Sequence, residues 1–185
     1  MLNNCMTNIL TISCRATNYN GYPTIKILLD HVELPTYVID SDLFSISIPL
    51  DTVAKPRTLV IERYGKTDNN VSVDANGNIL QDQYLEILDI KVDNVPVPEF
   101  VLYSSIKFEF NDQCHVGSRF FGPNGVWTFE FETPFIQYVL DQKILHEAKF
   151  NNDYIYAWSY KLGPDSVNKL TKEIDSVIDK VKNLL

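Results

Sequence analysis

Residues Thr58 to Val97 read TLVIERYGKTDNNVSVDANGNILQDQYLEILDIKVDNVPV. The stretch is strand, polar excursion, strand. Leu59, Val60 and Ile61 open an apolar run to Arg63, with Ile61, Glu62 and Arg63 expected on its outer side. Lys66 to Asp82 is rich in Asp, Asn, Gly and Gln. Leu85, Ile87, Leu88, Ile90 and Val92 then return as a second apolar run, closed by Asp93-Asn94 and two prolines. Two buried strands joined by a loop of carboxylates and amides can present hard oxygen donors or a polar ligand site at a sandwich edge.

The same rhythm runs outward in both directions. Leu43 to Pro49 alternates Phe44, Ile46 and Ile48 against Ser45 and Ser47, the period of a half-buried strand. Val126, Thr128 and Glu130 alternate with Trp127, Phe129 and Phe131, which make an aromatic face. Further strands are expected over 8–17, 24–29, 32–34, 37–39 and 100–108. Short strands recurring every eight to twelve residues between Gly, Pro, Asn and Asp predict an antiparallel, jelly-roll-like β-sandwich over residues 1–132. Phe120 to Gly125 is expected as a turn. Thr133-Pro134 reads as an N-cap with proline at the first position of a short helix running to about Lys149. With a strand at 154–160 this makes an appendage over 133–162. Residues 163–185 are expected as a C-terminal amphipathic helix. There Val167, Leu170, Ile174, Val177, Val181 and Leu184 step by three and four, a coiled-coil seam that predicts a homo-oligomer.

Composition bounds the function. The chain has 185 residues, 45% hydrophobic, and a net charge of −8, with no basic cluster to neutralise phosphates, so nucleic acid is not an expected partner. No run reaches the length of a membrane span and no secretory signal is visible. Cys5, Cys14 and Cys114 lack the paired spacing of a zinc site and are expected as free thiols. His31, His115 and His146 are too scattered to suggest a metal centre. No nucleophile elbow, zinc-protease, dinucleotide or phosphate-loop motif is present, and no enzymatic activity is expected. Glu130 and Glu132 share a strand face, read as the solvent side rather than as a glycosidase pair. Cys114 and His115 are adjacent on a strand and so point apart.

Two features point to binding. Asp68, Asn69, Asn70, Asp74, Asn76, Asn78 and Asp82 offer oxygen donors suited to calcium. The alternative is that Asp74-Ala75-Asn76-Gly77-Asn78 is simply a hairpin tip. Tyr19, Tyr22, Tyr37, Tyr64 and Tyr84 lie in or beside loops, where sugars stack on such rings.

The run Asp82-Gln83-Tyr84-Leu85-Glu86-Ile87-Leu88-Asp89-Ile90-Lys91-Val92-Asp93-Asn94-Val95, with Lys66-Thr67-Asp68-Asn69 before it, resembles the calcium-dependent, xylan-binding carbohydrate-binding modules over about residues 8–97. The resemblance implies a β-sandwich with calcium-mediated sugar binding at a loop edge, calcium as the candidate cofactor and Asp68 and Asp82 as its candidate ligands. The family's internal Asp falls on Leu88 here, with Asp89 one place off. Phe120-Phe121-Gly122-Pro123-Asn124-Gly125-Val126-Trp127-Thr128-Phe129, with Pro134-Phe135 after it, resembles structural proteins of tailed bacteriophages. That likeness implies a non-enzymatic virion component, made in the host cytoplasm and assembled with other virion proteins. The leading expectation is such a head, neck, tail or fibre protein. The alternative is a calcium-assisted module that recognises a host or environmental polysaccharide.

Overall fold

Period-two burial builds the sandwich. The computed structural model describes residues 8–149 and the single position Lys172. In β1 (Asn8–Ala16), Leu10, Ile12, Cys14 and Ala16 face inward, each 1% exposed or less. β2 (Thr24–Leu29) and the two-residue β3 (Val32–Glu33) form a hairpin. β4 (Leu43–Leu50) buries Ile46, Ile48 and Leu50, and leaves the serines outside as expected.

β5 (Lys55–Tyr64) follows the same period and corrects the expected placement of Ile61 and Arg63. Arg57, Leu59, Ile61 and Arg63 share its inner face and all four are buried. Because side chains alternate along a strand, an inward Leu59 puts residues 61 and 63 inward with it. The strand therefore carries one buried guanidinium near each end of the sandwich.

The polar excursion is a 3-10 turn (Asp68–Asn70) and a hairpin of β6 (Val71–Val73) and β7 (Ile79–Asp82). Its tip is the Asp74–Asn78 turn. Asp74 accepts hydrogen bonds from the Asn76 and Asn78 backbone N–H groups and from the Asn78 side chain, each at 2.8 Å. Those bonds hold its carboxyl below the usual carboxylate range. The Asp74 carboxylate and the Asn78 side-chain nitrogen are thus engaged within the turn.

β8 (Leu85–Val92) and β9 (Val95–Pro96) come next. The strand expected over 100–108 is half helix. Pro98 in extended conformation precedes α1 (Glu99–Ser105), and β10 (Ile106–Phe110) follows. α1 buries Phe100, Val101, Leu102 and Ser105. Phe100 and Val101 favour strands and only Leu102 is a strong helix former, so tertiary packing rather than propensity sets their state. β11 (Gln113–Val116), β12 (Phe120–Phe121) and β13 (Gly125–Thr133) are the last strands among the described residues. The expected turn at 120–125 therefore narrows to Gly122–Asn124. α2 (Phe135–Lys149) matches the expected helix. Its expected N-cap, Thr133, instead ends β13 and donates its hydroxyl to the Val53 carbonyl at 2.8 Å.

One sheet has the order β12-β8-β1-β4, with β9 on β8; the other has the order β11-β10-β13-β5-β2-β3. All pairings are antiparallel. Ile12, Ile46 and Ile90 from the first sheet pack in one core with Ile27, Ile61, Phe108 and Trp127 from the second. Stacked rings run through it, with Phe108 on Phe121 at 5.0 Å and Phe129 on Phe131 at 4.9 Å. α2 joins the same core through Phe135, Tyr138 and Val139. Over residues 8–149 the architecture is a β-sandwich with two helices. The expected strand at 154–160 and the seam residues Val167, Leu170, Ile174, Val177, Val181 and Leu184 lie outside the described residues.

Candidate functional site

Strand register places the site. Thr24 of β2 pairs with Tyr64 of β5 at one end of the larger sheet. Immediately beyond that pair, Gly65 adopts a positive φ of 80° and turns the chain into the polar excursion. The Asn18–Pro23 turn folds over from the other side, with Asn20 and Gly21 also at positive φ. Between them lies a cleft of about 540 Å³, lined by Asn20, Tyr22, Thr24, Tyr64, Thr67, Asn69, Asn70 and Gln83, together with Gly65. Among the described residues, no carboxylate and no cationic side chain lines it.

Two buried amides hold its walls. The Asn70 side-chain nitrogen donates to the carbonyls of Tyr19 (3.3 Å) and Asn20 (3.2 Å). Its oxygen accepts from the Thr67 N–H at 3.0 Å. Gln83 donates to the Gly21 carbonyl at 2.8 Å. The 18–23 turn is thereby pinned to the excursion. Tyr22 donates its hydroxyl to Asp42 at 2.9 Å, and that bond holds its phenol above the ordinary tyrosine value. The Tyr64 hydroxyl, the Thr24 hydroxyl and the Asn69 amide make no hydrogen bond to the protein among the described residues, and Tyr64 is 45% exposed.

Behind the Gln83 wall sits a cluster of cations and oxygens. Arg63, 1% exposed, aims one terminal nitrogen, Nη1, at the carbonyls of Phe121 (2.8 Å), Gly122 and Pro123 (3.1 Å). Its other terminal nitrogen, Nη2, donates to Gln83 twice, at the main-chain carbonyl (2.7 Å) and at Oε1 (3.0 Å). Lys66 donates its ammonium to Asp82 Oδ1 and, at 2.7 Å, to the Gly122 carbonyl. Burial pulls the Arg63 guanidinium down to about 10, against the pull of Asp82, and it stays charged at neutral pH. Asn124 clasps the Lys66 backbone, accepting its N–H at 2.9 Å and donating to its carbonyl at 3.0 Å.

Of the expected calcium ligands, Asp82 is therefore paired with Lys66. Asp68 opens the 3-10 turn, and no hydrogen bond or ion pair engages its carboxylate among the described residues. Among those residues no group of three or more His, Cys, Asp and Glu comes together to hold a metal. A calcium ion takes six to eight oxygen ligands, several of them carboxylates. One carboxylate and a set of carbonyls already held by two of the chain's own cations do not fit that ion.

Other sequence candidates disperse. Tyr37 stacks on Phe44 at 5.5 Å, and Tyr84 tilts against Phe120 at 5.0 Å. Glu130 faces solvent beside Lys107 at 3.5 Å, with Glu132 exposed on the same face. Cys114 is exposed and Cys14 buried, both free. His115 stacks on Phe110. No described helix is long and apolar enough to cross a membrane. Sequence reasoning brought Tyr22, Tyr64, Asn69 and Asn70 forward. It missed Asn20, Gln83 as a wall, and the buried roles of Arg63 and Lys66.

No protein-family model and no curated protein sequence matches the chain. Two solved structures are similar to it. One is vCBM60 in complex with galactobiose, at 13% identity and a TM-score of 0.40, covering 65% of this chain and 96% of that one. The other is a selenomethionine form of vCBM60, described in connection with circular permutation between two families of calcium-dependent carbohydrate-binding modules. It shows 14% identity and a TM-score of 0.41, covering 66% of this chain and 89% of that one. The sandwich described above rests on its own strand pairing.

Proposed function

We propose that the cleft between the 18–23 turn and the polar excursion binds a neutral carbohydrate, and that the protein acts by binding rather than catalysis. The observation that carries this is the lining itself: two tyrosines, four side-chain amides and two threonines, with no carboxylate or cation among the described residues. Sugar hydroxyls act as donors and acceptors at once, and amides and hydroxyls answer both roles. A half-exposed Tyr64 ring offers a stacking face for the apolar side of a pyranose.

The test is affinity electrophoresis in gels containing neutral plant, bacterial or algal polysaccharides. Retardation on at least one is expected. A Tyr64→Ala change should weaken it roughly two- to twelvefold, from the ~0.5–1.5 kcal/mol of a ring contact. Unaltered mobility on every neutral glycan would refute the reading.

A second reading is an assembly role as a virion component. The three-and-four stepping of Val167 to Leu184 favours it. Light scattering on the full chain and on a chain ending at Gly163 tests it. A trimer or larger that becomes monomeric on truncation supports assembly through that segment, and monomers in both refute it.

A further inference from the structure

We infer that the sandwich edge beside the cleft is closed by the protein's own cations, the Lys66 ammonium and the Arg63 guanidinium, which do there what a bound divalent ion would otherwise do. This inference stands on the edge alone and not on what the cleft binds.

The Asp82 carboxylate, the carbonyls of Phe121, Gly122, Pro123 and Gln83, and the Gln83 side-chain oxygen converge from two separate loops. Such a set is mutually repulsive and needs a positive centre to hold it. A hard divalent ion is one solution. Here two side chains supply the charge from adjacent stretches of sequence. Lys66 is 13% exposed and Asp82 16%, so the pair is screened much less than a surface contact. Gly122 O accepts from both cations, which makes it the shared point of the cluster.

The cluster also reaches the cleft. Arg63 fixes Gln83 Oε1, which leaves Gln83 Nε2 aimed at the Gly21 carbonyl. Arg63 is thus a positioning residue for the cleft wall, acting through Gln83. The Asn124 clasp on the Lys66 backbone is independent of the Lys66 side chain, so a change there removes the charge while the loop stays attached.

Thermal melting of the full chain tests this without any glycan. The parent protein should melt at the same temperature in EGTA, in plain buffer and in millimolar calcium. Lys66→Met keeps the aliphatic stem but drops the charge, and should melt several degrees lower. Lys66→Arg keeps the charge and should recover most of that loss. Asp82→Asn in the Lys66→Met background removes the stranded carboxylate. The double variant should therefore lose less than the two single losses added together. A parent melting point that falls in EGTA or rises with calcium would overturn the inference. So would a Lys66→Met protein that melts like the parent, or single losses that simply add, since packing alone would then explain Lys66.

Discussion

Replacing Arg63 by Met removes the guanidinium and keeps a side chain of similar reach on the inner face of β5. Lost with it are hydrogen bonds to the carbonyls of Phe121, Pro123 and Gln83 and to Gln83 Oε1. The Gly122 carbonyl keeps Lys66. A buried acceptor left unpaired costs about 1–3 kcal/mol. Three buried acceptors and the part-buried Pro123 carbonyl, taken at the low end of that range, give about 3–4 kcal/mol. Relief of the guanidinium's own desolvation offsets part of this, and the Arg63 Nε, buried without a partner among the described residues, contributes to that relief. A net loss of about 3 kcal/mol follows, or a fall of roughly 6–12 °C in melting temperature for a domain of this size. Urea unfolding measures it as a lower midpoint at unchanged slope. Arg57→Met is the internal comparison. Arg57 is equally buried, but two of its partners are the carboxylates of Asp30 and Asp51, whose side chains are 27% and 49% exposed. Water can solvate those once the guanidinium is gone, so Arg57→Met should cost less than Arg63→Met. An Arg63→Met loss below about 1 kcal/mol would refute the reasoning, because the carbonyls would then have found other partners.

Asp30 gives a pH signature. Burial alone would raise its carboxyl, but hydrogen bonds from the Thr58 N–H and Arg57, and the charges of Arg57 and Lys55, hold it below the usual value. A depressed carboxyl stabilises the fold above its unfolded pKa of about 3.9 and loses that contribution as pH falls through the folded value. Asp30→Asn should therefore lower the melting point at neutral pH and flatten its decline in acid; parallel pH profiles for the two proteins would contradict this. Gly125 opens β13, where an added Cβ would sit 2.5 Å from the Glu109 carbonyl and 2.8 Å from the Phe108 ring. Gly125→Ala should cost about 1–3 kcal/mol by overpacking, checked by urea unfolding. Burial pushes the Cys14 thiol up to about 12, whereas Cys114 is exposed. In a Cys5→Ser background one thiol should react quickly with a disulfide reagent, and the second only on unfolding.

How much of this was legible in the sequence depended on which interaction set each element. Leu43–Leu50 and Gly125–Thr133 were readable because one face of each meets the core and the other meets water, and that contrast is written directly as alternation. Residues 99–105 were not. Val, Tyr and Phe favour strands only when they lie on a pleated surface, and Pro98 with the packing of Phe100 to Leu102 decided for a helix. Arg63 and Ile61 turn inward because the period-two alternation along β5 runs unbroken. Leu59 had already fixed the inner face, and an inward arginine is tolerable where a loop offers carbonyls, a fact that only the fold supplies.

The cleft shows why site and fold differ in legibility. Tyr64, Asn69 and Asn70 are neighbours in sequence, so their polar, aromatic character was visible as a loop. Asn20 and Tyr22 lie more than forty positions away. Two pairings bring them in, Thr24 opposite Tyr64 in one sheet and Ala16 opposite Leu85 in the other. A one-residue slip in either would turn alternate side chains to the opposite face and undo the wall. The side chains that fix those strand ends to one another are Asn70, Gln83, Arg63 and Lys66, none of which advertises such a role as a single letter. What selects the cleft is thus the set of buried polar groups behind it. Their cost in desolvation is borne only because each main-chain oxygen they meet would otherwise be stranded.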